Sequence, residues 1–290
     1  MTLYGQAIIS GVLVGGLYAM MSLGVSLSWG VLKIINLAYF SFILLAGYGS
    51  YELAASQGWD PFVTVLAVVP VVVIVGALLQ LFFEKVKIGE FESLLVTFGL
   101  LIMLESVARS IWSADFRRIP STENPYASSS LRIGDFAFPT PQLSAFLTAI
   151  VIGLLMKYLL DRTYFGKAVR ALAQDQDMAR AFGVDHRRVA VLLSGLAAAT
   201  AAIAGVFIAM SQALFPGLAV EWFGIVFPVV ILGGLGSTLG ALGAGVIIGV
   251  VAAIASVAWG PSYAPLATFV ILIATLLFKP EGLFTRKASV

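Results

Sequence analysis

Four runs without a single charged side chain govern what this chain can fold into: Met1–Leu32, Pro61–Phe83, Val189–Val220 and Trp222–Phe278. About 20 apolar residues cross a bilayer core as a helix. Only helices or closed barrels satisfy every backbone group there. The runs are continuous rather than alternating, which selects helices over a barrel. Composition agrees. Of 290 residues, 60% are hydrophobic and only 11% charged, where a soluble domain carries about 25% charged residues. The mean hydropathy is +1.01. The expected fold is all-α: a polytopic integral membrane protein, read as a single transmembrane domain over residues 1–290.

The spans are expected at about 6–28, 34–53, 62–83, 93–112, 142–160, 189–210, 222–235, 239–258 and 263–278. No basic segment precedes the first run, so it reads as a span rather than a cleaved signal. There is no cysteine, which excludes disulfides and thiolate metal sites. A lone histidine, His186, makes a His-rich metal centre or an interfacial hydrolase site a poor fit. Catalytic residues and metal ligands are expected to be none.

Orientation follows from the basic residues. Placing the 162–188 loop in the cytoplasm puts Lys33, Lys85, Lys87, Lys157, Arg162, Lys167, Arg170, Arg180, Arg187, Arg188, Lys279, Arg286 and Lys287 inside. That is 13 of the 17 basic residues, with Arg109, Arg117, Arg118 and Arg132 outside. The N-terminus is then expected outside and the C-terminal tail inside. The 113–142 segment is expected to be an extracytoplasmic, solvated loop with little regular structure, carrying Arg117, Arg118 and Glu123.

Charge gathers in TYFGKAVRALAQDQDMARAFGVDHRRV, Thr163–Val189. Asp175 is an N-cap for a short helix over Gln176–Phe182, and Gly183 is its C′ stop. Ala168, Ala171, Leu172, Ala179 and Phe182 form one apolar face at helical spacing. Three readings fit such an amphipathic loop: lipid contact through Arg and Lys, an intramolecular strut, or a docking knob for a cytosolic partner. His186 reads as solvated or headgroup-bound.

Other positions stand out within the apolar runs. Trp222–Leu235 is about 14 residues, or about 21 Å as a helix, and ends in GGLGS, Gly233–Ser237. Short, glycine-broken spans can line a transport cavity; a tight hairpin is the plain alternative. Pro70 and Pro228 are expected to kink their helices. Gly236, Gly240, Gly243, Gly245 and Gly249 read as close-packing positions. Glu105 and Arg109 stand four apart and are expected to pair. Asn36 needs an interhelical partner, and Thr97 can bond back to its own helix.

The loop RTYFGKAVRALAQDQDMARAFGVD resembles the coupling-helix loop of ABC-importer permeases for branched-chain amino acids, through Gly166, Arg170–Ala171, Ala179 and Gly183. The resemblance extends along nearly the whole chain in order: GLYAMMSLGVSLSWGVLKIINLA, LLVTFGL with Thr97 and Gly99, VILGGLGSTLGALGAG, and KPEGLF. One segment departs. Where the family commonly has Asn-Phe/Leu-Ala-His-Gly and often an acid, this chain keeps Asn36 but has Tyr39, Phe40 and Ser41. A path lined by that segment is more aromatic and less acidic.

The resemblance implies a transmembrane permease that does no covalent chemistry. It implies a second permease, homologous or identical, two cytosolic ATPase subunits that bind ATP-Mg, and an extracytoplasmic solute-binding protein. No Gly-x-x-x-x-Gly-Lys-Ser/Thr run is present to hold ATP in this chain. The implied ATPase-coupling residues are Gly166, Arg170, Ala171, Asp175, Ala179, Arg180 and Gly183. The translocation-path candidates are Asn36, Tyr39, Ser41, Thr97, Glu105, Pro228, Gly233, Gly234 and Ser237. Urea, amides or aromatic and aliphatic carboxylates stand as alternative solutes, and a stand-alone ion-coupled transporter or channel as the alternative class. The location implied is a bacterial inner membrane.

Overall fold

The computed structural model describes residues 2–86 and 88–284. Lys87, Arg286 and Lys287, counted above for orientation, lie outside the described residues. Among these residues nine long helices match the nine expected spans within a few residues: α1 Thr2–Leu27, α2 Ala38–Gln57, α3 Thr64–Val86, α4 Glu90–Trp112 and α5 Thr140–Arg162, then, after the short α6 Tyr164–Gln174 and α7 Gln176–Ala181, α8 His186–Ser211, α9 Leu218–Gly233, α10 Thr238–Ala258 and α11 Ala264–Phe278. α1 is extended by a π-helical turn over Ser28–Leu32. A short 3₁₀ turn, Pro261–Tyr263, precedes α11.

Seven helical segments are long and apolar enough to cross a membrane. α9, at 16 residues, is a shorter apolar helix. The helices are not equivalent. In α8, 72% of the most apolar window lies inside the protein, and in α1 67%, against 22% for α3, α4 and α5. α1 and α8 are therefore the centre, joined by α2, most of whose residues are buried. The outer helices turn large side chains such as Leu66, Phe98, Leu155 and Leu277 to the surroundings. A helix that is apolar on its outward face needs lipid there.

Small residues let the central helices approach. A Cβ added to Gly15 would fall 2.6 Å from the carbonyl oxygen of Gly245, and one added to Gly245 would fall 2.6 Å from that of Gly15. Gly11 and Gly249 meet each other and extend this α1–α10 seam by one turn. Gly205 of α8 lies against the backbone of α2 in the same manner, and Gly76 of α3 against Ala198 of α8. Packing is thus the role of Gly245 and Gly249. Gly240 meets Gly233, and Gly243 meets Phe284. In lipid, where burial supplies no drive between helices, such contact is the main adhesive.

The 113–142 segment corrects the expectation of little regular structure. Arg117 forms an antiparallel bridge with Leu214, at 2.8 and 2.7 Å. Buried Asn124 donates to the Met210 carbonyl at 3.1 Å, and Tyr126 donates to Asp60 at 2.8 Å. β1 Ser130–Ile133 and β2 Phe136–Pro139 form a hairpin. Gln6 of α1 clips it, donating to the Ala137 carbonyl at 2.8 Å and accepting from its N–H at 3.0 Å. These bonds tie the segment to α1, to the end of α8 and to the loops that follow α2 and α8, so it is a cap on one end of the bundle. The opposite end holds α6 and α7.

Candidate functional site

At the α6–α7 end, local signals define the helix breaks. Thr163 caps α6 by accepting from Gly166 N–H at 3.1 Å. Asp175 caps α7 by accepting from Asp177 and Met178 N–H at 2.9 and 3.0 Å, as expected. Gly183 stops it with φ +85°, a conformation that favours glycine. Asp185 caps α8 through Arg188 N–H at 3.1 Å. Each such cap is worth about 1 kcal/mol. The Thr163 and Asp185 caps were readable as Thr and Asp just ahead of helix formers, yet were not anticipated.

The apolar face of this loop is the expected one except at Phe182, and it is not free. Gly166, Val169 and Leu172 of α6 and Ala179 of α7 are buried. They pack with Leu27, Val31, Leu32, Met156, Val189 and Leu193, a core made by α1, its π-turn, α5 and α8. The strut reading therefore holds for this face. Phe182, expected on it, is 82% exposed, as are Tyr164 at 88% and Met178 at 58%. Val169 of α6 faces inward and Phe182, at the end of α7, faces out.

The charges divide likewise. Arg170 donates to the Leu160 carbonyl at the end of α5 and sits 3.5 Å from Asp161, an exposed pair of small worth that holds α6 against α5. Gly166 lies on that same turn, with no room for a Cβ beside the Leu160 carbonyl. Arg180 is 3.7 Å from Asp177 and stays half-exposed. Ala171 is half-buried. His186 corrects the solvated reading: its Nε2 is 3.2 Å from Glu84, and Gln80 donates to the same carboxylate at 3.2 Å. With Lys33, Glu90 and Arg180 it borders a cleft of about 520 Å³ between the loop and the start of α4.

The path candidates fall into two groups. The first surrounds residues 33–37, between the π-turn and α2. Lys33 adopts a left-handed φ of 55°, and the chain is then held by α4. Ser93 accepts from Ile35 N–H at 3.2 Å, and Thr97 accepts from Leu37 N–H at 3.0 Å. Thr97 also donates to Ser93 O at 2.7 Å and meets Ile35 O at 3.1 Å, so it bonds both its own helix and the break. Asn36 sits between these clamps with a buried Oδ1 that has no hydrogen-bond partner in the chain; the expected interhelical bond through that atom does not form.

Tyr39 and Ser41 lie in the core. Tyr39 is 3% exposed, its hydroxyl 3.0 Å from that of Thr200, its ring filling the space left by Gly24. Ser41 donates to Leu101 O at 3.3 Å. Tyr39→Phe is expected to lower stability by about 1 kcal/mol, because Thr200 keeps its bond to Ala197 O. Tyr39→Ala is expected to cost about 3–5 kcal/mol, as for other large aromatics in cores. Thermal unfolding in detergent checks both; equal effects would remove the packing account.

The second group is the α9–α10 turn. Gly236 N–H donates to Ser26 O at 3.0 Å, and Ser26 Oγ donates to Gly234 O at 3.4 Å. Ser237 caps α10 through Gly240 N–H at 3.0 Å. Gly30, in the π-turn of α1, leaves no room for a Cβ beside Gly236. The KPEGLF ending reaches the same place: Leu283 N–H donates to Leu232 O at 2.8 Å, and Gly282, at φ +91°, lies on Gly234. α9 is one helix through Pro228. A π-turn, a paired glycine turn and a terminal clasp thus meet at one spot; π-turns frequently mark functional sites.

Glu105 and Arg109 do not pair. Glu105 is 7% exposed and faces α2 with one oxygen lacking a partner, while Arg109 is exposed. The buried stripe of α4 runs at spacing four through Ser93, Thr97, Leu101 and Glu105 and then steps by three to Ala108, which leaves Arg109 just outside it. Ser26 and Ser93 were missed beforehand; their signal is a small hydroxyl one turn from a glycine break or from Thr97.

This architecture, a centre of glycine-seamed helices with breaks near one end and a capped amphipathic loop beside them, is that of a polytopic membrane permease. The family model for the branched-chain amino acid transport system permease component matches residues 7–278, and the chain belongs to that family. Similar curated proteins include the high-affinity branched-chain amino acid transport system permease BraD of Pseudomonas aeruginosa, 26% identical over 98% of this chain and 96% of the relative. LivH of Escherichia coli K12 is 24% identical over 97% and 95%. A probable LivH of Methanocaldococcus jannaschii is 25% identical over 98% and 91%.

Proposed function

We propose that this chain is the translocation subunit of an ABC importer that moves branched-chain amino acids inward. Family membership over residues 7–278 is the observation that supports it most. In this reading the α6–α7 end faces the cytoplasm, in accord with the excess of Lys and Arg there, and the hairpin cap faces outward. The N-terminus is outside and the C-terminus inside. Two cytosolic ATPase subunits bind ATP-Mg and dock on the exposed side of α6–α7. A second permease, homologous or identical, completes the path. An extracytoplasmic binding protein delivers the solute to the cap.

Of the loop residues assigned to coupling, Arg180, Asp175 and Gly183 remain at the surface, while Gly166, Ala171, Ala179 and Arg170 hold the loop to the bundle. Force on the exposed side then reaches α1 through the π-turn, which α6 touches. The α9–α10 turn bonded to Ser26 moves with it. This is a rigid-body route between outward and inward states.

The test is uptake in proteoliposomes holding the full complex. Radiolabelled leucine should enter only with lumenal ATP, a loaded binding protein and all subunits present. Entry of urea but not leucine would move the substrate to the amide class; leucine entry without ATPase subunits would overturn the ABC reading.

A further inference from the structure

At the hairpin end a cavity of about 190 Å³ lies between α1, the start of α5, the end of α8 and α9. It is well below the roughly 300–1,000 Å³ of sites for drug-sized ligands, so its occupant is small. One side is apolar: Met21, Ile208, Leu218 and Trp222 line it and are all buried. The other side has Gln142, Ser211, Gln212 and Glu221, and no Lys or Arg lines the cavity. The two sides therefore ask for different ends of one molecule.

The polar side is rich in acceptors. Gln142 Oε1 is buried without a hydrogen-bond partner, a state that costs about 1–3 kcal/mol unless a donor arrives. Glu221 presents an exposed carboxylate in the first turn of α9. An ammonium group offers three donors and a positive charge to these two acceptors. The amide N–H groups of Gln142 and Gln212 suit a ligand carboxylate, and the apolar wall suits a branched aliphatic body. A free anion lacks a cation here, and a purely apolar guest leaves Gln142 unsatisfied.

We propose that this cavity is a solute site contained in a single permease chain, taking an aliphatic α-amino acid as a zwitterion, with Glu221 and Gln142 on its ammonium group. It deepens the permease reading and rests on it for the direction of flow. Gln142 and Glu221 are far apart in the sequence and are joined only by the fold.

The chain has no cysteine, so Ser211→Cys installs a unique thiol on the cavity wall. The full-length variant in proteoliposomes is reacted with a membrane-impermeant maleimide, with and without leucine. Labelling should slow about twofold at half occupancy and further at saturation. Glu221→Gln in that background should raise the leucine needed by about tenfold. The deaminated analogue 4-methylpentanoate should not protect. Where the Ser211→Cys thiol reacts too slowly, Gln212→Cys at the exposed mouth is the second reporter. Equal rates with and without leucine, or equal protection by 4-methylpentanoate, overturn the site. Leucine uptake is measured separately on the complex. Protection without uptake would sink the transport reading and keep the site, and uptake without protection would do the reverse.

Discussion

Gly245→Val is expected to prevent accumulation of the folded chain. The valine Cβ would lie 2.6 Å from the Gly15 carbonyl oxygen and 2.7 Å from Ala19 on α1. These are backbone and short side-chain atoms of the central helix, so neither can swing aside. Relief requires α1 and α10 to part along the whole seam, losing the Gly11–Gly249 contacts as well. Overpacking typically costs about 1–3 kcal/mol; a backbone clash in a seam held by close approach belongs at or above the top of that range. Gly99→Val is the matched control, since nothing lies within 4 Å of a Cβ there. It changes the same residue type in an equally helical setting. Size-exclusion profile and unfolding temperature in detergent should drop for the first variant and hold for the second. Matched losses would mean that glycine count, not the α1–α10 approach, limits stability.

On the proposed docking of ATPase subunits at the exposed side of α6–α7, Phe182→Asp is expected to abolish ATPase stimulation while leaving the permease folded. Phe182 is 82% exposed and follows α7, so its removal empties no core. An aromatic anchor at an interface is worth about 2 kcal/mol or more, close to thirtyfold in affinity. A water-solvated aspartate at the same spot adds a desolvation penalty on docking. Ala179→Leu offers the contrast. Ala179 is 4% exposed inside the core shared with Leu172 and Val31, so the added volume should lower the unfolding temperature by itself. Co-purification with the ATPase and ligand-stimulated ATP hydrolysis are the measurements. If both survive Phe182→Asp, docking does not use the exposed side of α6–α7.

Much of the fold was legible because its causes are local. Charge-free runs set the helices, Asp175 and Gly183 set the short helix between them, and the glycines at 245 and 249 announced close packing. The loop's phase was legible only in part. Ala168, Leu172 and Ala179 point toward the bundle, but Phe182 is the C-cap of α7, where the backbone leaves helical geometry and spacing no longer predicts direction. Glu105 and Arg109 failed for a related reason. Spacing of four permits a pair, and α2 claimed the stripe holding Glu105, leaving Arg109 outside.

By itself, then, the sequence determined the class: apolar runs of that length have no stable place but a membrane, and their backbone must be helical there. It also determined the family, through motifs spread over most of the chain. Tertiary structure alone decided which polar groups meet. Ser26 and Gly236 stand 210 positions apart, Gln142 and Glu221 belong to different helices, and His186 of α8 finds Glu84 on the neighbouring α3. Lipid leaves helices free to choose among many apolar neighbours, so the choice rests on shape, on where glycine lets two backbones touch. That shape is a property of pairs of helices, and no single run of residues contains it.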